Sequence, residues 1–106
     1  MPAVRTARRA VQEWLGDDTA ELRSTVALVT TEMVSNAIRY GRPPILLELS
    51  RSDERVRVVV RDDGGGQPKQ RPPGVSGGWG LHIVERLASR WGAVSGATAI
   101  WAEIDL

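Results

Sequence analysis

Residues 45–66 read Ile45-Leu46-Leu47-Glu48-Leu49-Ser50-Arg51-Ser52-Asp53-Glu54-Arg55-Val56-Arg57-Val58-Val59-Val60-Arg61-Asp62-Asp63-Gly64-Gly65-Gly66. Ile45, Leu47 and Leu49 alternate with other residues, as do Val56, Val58 and Val60, and Ser52-Asp53-Glu54 stands between the two runs. Successive side chains on an extended chain point to opposite faces, so each run predicts a strand with one apolar side. The short polar link makes the pair an antiparallel hairpin. Asp62 continues the parity of the valines, which directs its carboxylate toward the apolar layer if the strand persists.

On the amino-terminal side of the hairpin the spacing changes from two to helical. Val4, Ala7, Val11, Trp14 and Leu15 predict an amphipathic helix over residues 3–15, stopped by Gly16 and two aspartates. Asp18 or Thr19 can cap a second helix with the stripe Leu22, Val26, Val29, Met33, Ala37 and Tyr40, which ends at Gly41 ahead of Pro43 and Pro44. On the carboxyl side, residues 64–80 hold seven glycines and three prolines, a composition too poor in apolar groups to pack, and are expected to form a mobile loop. Leu81, Val84, Leu87, Ala88 and Trp91 predict a third helix running to Gly92. A short strand near residues 93–95 and a final one bearing Ile100, Ala102, Ile104 and Leu106 complete the chain. Helices with one apolar face and strands with one apolar face are satisfied together by a two-layer α+β sandwich: a mainly antiparallel sheet covered on one side by about three helices.

Composition narrows the function. A chain of 106 residues is expected to form one domain, residues 1–106. Fourteen basic against thirteen acidic residues, dispersed along the chain, leave no footprint for nucleic acid or an anionic membrane. No cysteine, leader or long apolar run is present, so a cytoplasmic protein is expected. With His82 as the single histidine and no thiol, zinc is disfavoured and a hard, oxygen-ligated ion is the metal to expect.

Three stations in order carry chemistry. Glu32 and Asn36, one turn apart, fall at the edge of the second helix's apolar stripe at about 100° per residue. An asparagine oxygen there can complete the shell of Mg²⁺, and the carboxylate can take a proton from an attacking hydroxyl or water. Asp62 can accept from the exocyclic amine of adenine, with Gly64 and Gly66 letting the backbone pass close to a flat base. Gly78 and Gly80, flanking Trp79 before Leu81, open a helix whose unpaired N–H groups favour phosphate. Each station has an ordinary counterpart: a solvated helix face, a strand ending in a turn, a linker before a helix. Their agreement in one chain and one order describes a nucleotide pocket.

The runs Thr31-Glu32-Met33-Val34-Ser35-Asn36-Ala37-Ile38-Arg39, Asp62-Asp63-Gly64-Gly65-Gly66, Gly78-Trp79-Gly80-Leu81-His82-Ile83-Val84 and Leu87-Ala88-Ser89-Arg90-Trp91-Gly92 resemble the Bergerat-type ATPases of the gyrase, histidine-kinase and MutL kind. The chain looks closest to the small bacterial anti-sigma-factor serine/threonine kinases. The resemblance implies ATP and Mg²⁺ as cofactors, Glu32 as general base, Asn36 as Mg²⁺ ligand, Asp62 as adenine reader, and Gly78 and Gly80 with Leu81 at the phosphates. It also implies a sigma factor and an anti-sigma-factor antagonist as partners, phosphoryl transfer to a serine or threonine of the antagonist, and a possible homodimer. A nucleotide-sensing, partner-binding module without kinase activity is the alternative.

Departures from the family pattern are local. Tyr40 follows Arg39 where the small kinases usually have histidine, and Ala97-Thr98-Ala99-Ile100-Trp101 stands where glycine, lysine and threonine usually enter the last strand. Thr98 reaches the adenine only if the register slips by one. The chain starts directly at the first expected helix, so the leading strand common in relatives is expected to be missing or supplied differently. Arg39, one turn from Ser35, is a secondary candidate for phosphate, beside the plainer reading of a solvated arginine near a helix end. His82 lies off its helix's stripe and is read as surface, while Trp14, Trp91 and Trp101 fit core or interface positions.

Overall fold

In the computed structural model, residues 2–63, 81–93 and 99–106 are described. The elements in chain order are α1 (Pro2–Leu15), α2 (Ala20–Tyr40), β1 (Leu46–Arg51), β2 (Arg55–Arg61), α3 (Leu81–Leu87), β3 (Arg90–Ala93) and β4 (Ala99–Asp105). The four strands form one antiparallel sheet in the order β1-β2-β4-β3. The α+β fold expected from the alternation is the fold observed. The expected mobile loop over residues 64–80 lies outside the described residues.

Local chemistry explains most boundaries. Gly16 closes α1 at a φ of +55°, a left-handed conformation that costs glycine nothing, and its N–H donates to the Gln12 carbonyl at 3.0 Å. Three residues on, Thr19 caps α2 by accepting from the Leu22 N–H at 3.1 Å. The two helices form a helical hairpin. Between β1 and β2, the Ser52 hydroxyl accepts from the N–H groups of Glu54 and Arg55, both at 3.2 Å, so the expected turn is held by its own serine.

Val56, Val58 and Val60 of β2 and Ile100, Ala102 and Ile104 of β4 are buried on the side facing the helices. There α2 lies on β2 and β4, with α1 packed against it on one flank and α3 on another. The apolar stripe of α2 is the centre of the core, Val26, Val29 and Met33 being inaccessible to solvent.

Two expectations need correction. The third helix does not run to Gly92: it stops at Leu87, and Trp91 and Gly92 belong to β3, paired with Ala102 and Trp101. Ser89 forces the change, because its N–H donates to the Glu103 carbonyl at 2.7 Å and its hydroxyl accepts from the Asp105 N–H at 2.9 Å, committing the chain to the sheet edge. Gly92 then gives room to an indole, since a Cβ there would lie 3.2 Å from the Trp101 ring. Of the core or interface position expected for Trp14, the core is ruled out: it is 40 % exposed, whereas Leu15 beside it is buried.

The open face of the sheet is laced with ion pairs. Arg57 and Arg90 each donate to Glu103 at 2.9 Å, Arg90 also binds Asp105, Arg61 donates to Glu48 at 2.8 Å, and Arg57 lies 5.2 Å over the Trp101 ring. The hydrogen bond from Arg90 holds the carboxyls of both Glu103 and Asp105 below the usual range. A depressed folded pKa stabilises the fold above the unfolded value, and that contribution is lost as pH falls through the folded one. The melting temperature is therefore expected to fall as pH drops below about 4. The gap between wild type and Glu103→Gln should close over the same range and shrink in salt. A gap that stays constant from pH 6 to 2.5 would show that the pairing contributes nothing.

Candidate functional site

α2 supplies the first half of the site. Glu32 and Asn36 stand one turn apart, so they share a helix face. Glu32 is half-buried and Asn36 only 1 % exposed. The rim position expected for Asn36 is thus corrected. A helix covered on one side only would leave residue 36 at its margin, but α2 is flanked by α1 and α3 as well as seated on the sheet, and its buried arc widens to include Asn36.

The carboxyl end of α2 and the end of β2 form the second half. The Gly41 N–H donates to the Ala37 carbonyl and the Asp63 N–H to the Arg42 carbonyl, both at 2.8 Å, which fastens the residues after β2 to the end of the helix. Asp62 is half-buried on the helical side of the sheet, as its parity predicts, with its carboxylate directly against Gly41. Leu81 begins α3 and is buried in the core beside Val84, so the start of α3 is anchored in the layer that holds α2.

Other expected residues fall elsewhere. Arg39 is exposed with its guanidinium 5.9 Å from the Tyr40 ring centroid, a cation–π distance. His82 is exposed, as read from its place off the stripe. Gly64, Gly66, Gly78, Gly80, Trp79 and Thr98 lie outside the described residues. A residue that sequence reading missed is Gly41, taken only as a helix stop. Its signal was its place directly after the helix that carries Glu32 and Asn36.

The donor set can be tested against the metal it was expected to hold. Among the described residues no cluster of three His, Cys, Asp or Glu side chains forms a cage. Mg²⁺ typically takes one or two protein oxygens and completes its shell with phosphate and water, a role for which the single amide oxygen of Asn36 has the right chemistry. A cavity of about 580 Å³ also exists, but at the opposite end of α2, bordered by Asp18, Thr19, Leu22, Arg51, Leu87 and Ile104 among others. None of the site residues lines it.

An antiparallel sheet covered by a helix with a buried asparagine one turn after a glutamate, and an aspartate fastened to that helix's end, defines an α+β domain with a polar site at one end of its helical layer. A family model for the histidine kinase-like ATPase domain matches residues 2–103, and the chain belongs to that family. Membership implies ATP binding. No curated protein matches the chain. Among the described residues no helix is long and apolar enough to cross a membrane.

Proposed function

We propose that this domain is a regulatory serine/threonine protein kinase of the anti-sigma-factor type, which binds a sigma factor and phosphorylates a hydroxyl of its antagonist. The observation that supports the reading best is the pairing of half-buried Glu32 with fully buried Asn36 on one face of α2. Mg-ATP supplies the phosphoryl group and neutralises its charge. Asn36 presents its amide oxygen to the metal, and Asp62 accepts from the adenine amine. Glu32 takes the proton of the attacking serine or threonine hydroxyl as the new O–P bond forms and the bond to the ADP oxygen breaks. A homodimer is part of the same proposal.

Binding and transfer can be tested separately. Calorimetric titration is expected to show tighter binding of ATP than of GTP in the presence of Mg²⁺, because guanine carries a carbonyl where adenine carries the amine that Asp62 accepts from. Equal affinity for both, or none for either, would remove the adenine assignment. Incubation with γ-labelled ATP and antagonists encoded beside the protein then tests transfer. A chain that labels none of them, yet changes its grip on a sigma factor with nucleotide, would be a nucleotide-sensing binding module instead. The unusual residues 97–99 at the entry to β4 are the feature that favours that second reading.

A further inference from the structure

We propose that Gly41 is a positioning residue for the Asp62 carboxylate, and through it a determinant of adenine recognition; this rests on the adenine assignment above. Gly41 has a φ of −104° and a ψ of −163°, extended backbone open to any L-residue. Conformational freedom therefore does not explain a glycine here. Space does: a Cβ at residue 41 would fall inside contact distance of Asp62 Oδ2, 2.5 Å from its Cγ and 2.8 Å from the Ala37 carbonyl oxygen. The carboxylate occupies the volume that any side chain at 41 would fill.

The surroundings make the contact decisive. Gly41 is tied to α2 by its N–H bond to Ala37, and the next residue, Arg42, accepts from the Asp63 N–H. Backbone on both sides of the contact is thus restrained. The Asp62 carboxylate, at the end of a side chain with rotatable bonds, meets an added methyl most closely and is displaced first, while the 2.8 Å approach to the Ala37 carbonyl calls for a smaller shift of backbone. A base reader that has swung away no longer meets the amine at hydrogen-bond distance. Gly41 acts on the ligand only through Asp62.

The test compares Gly41→Ala with wild type by calorimetry in Mg²⁺, using ATP and ITP, which differ in the amine or carbonyl at purine position 6. Wild type should prefer ATP, and the variant should lose that preference by about tenfold, as expected of residues in direct contact, chiefly through weaker ATP binding. General damage to the fold would weaken ATP and ITP together and leave their ratio unchanged, which would overturn the proposal. If wild type itself does not distinguish ATP from ITP, the adenine assignment fails and takes this proposal with it. Should Gly41→Ala fail to fold, the double variant Gly41→Ala/Asp62→Ala should recover a cooperative melt, since the closest obstructing group is gone. No recovery would place the cost at the Ala37 carbonyl and overturn the positioning role.

Discussion

Glu32→Gln is expected to reduce phosphoryl transfer to a cognate antagonist by roughly 10²- to 10⁴-fold, the range for a lost general base. ATP affinity should stay near that of wild type. Glutamine keeps the size and shape of the side chain but cannot take a proton, so packing around half-buried Glu32 changes little. A group that acts only while the hydroxyl is attacking contributes to the transition state and little to ground-state binding. Affinity from calorimetry and transfer from γ-labelled ATP, measured on the same preparations, separate the two. Weakened ATP binding in step with transfer would make Glu32 a binding residue, and full transfer would remove it from the chemistry.

Asn36→Ala is expected to have two effects. Mg²⁺-dependent ATP binding should fall toward the level seen with the metal chelated, because in the proposed site the amide oxygen is the protein's contribution to the metal shell. The free protein should also melt lower. At 1 % exposure the amide is part of the core, and leaving buried polar groups without a partner costs about 1–3 kcal/mol. Each 1 kcal/mol shifts the midpoint of a domain this size by about 4–8 °C. Titrations below the lowered midpoint, with and without chelator, isolate the metal effect. A variant that melts lower yet keeps full metal dependence would show that Asn36 is structural and that the metal is held elsewhere.

The two variants draw on different kinds of knowledge. Glu32 and Asn36 are legible as a pair because i and i+4 share a helix face whatever surrounds the helix. The hairpin of β1 and β2 is legible for a similar reason: the alternation of Val56, Val58 and Val60 is a property of extended chain. The direction of Asp62 follows from the same parity. In each case the relevant neighbours are a few residues away, and periodicity alone places them.

Non-local contacts settled the rest. Leu81, Val84, Leu87 and Ala88 continue to Trp91 at helical spacing, but pairing with β4 through Ser89 takes Trp91 and Gly92 into the sheet. Trp14 keeps the period of α1 yet stays 40 % exposed. Asn36 is buried although its place in the period of α2 puts it at the margin of the stripe, and the role proposed for Gly41 depends on a carboxylate twenty-one residues away. Chain periodicity states which way a side chain leaves its own helix or strand. Burial and close approach depend on what other elements bring to that side, and such long-range pairings leave no repeat in the sequence.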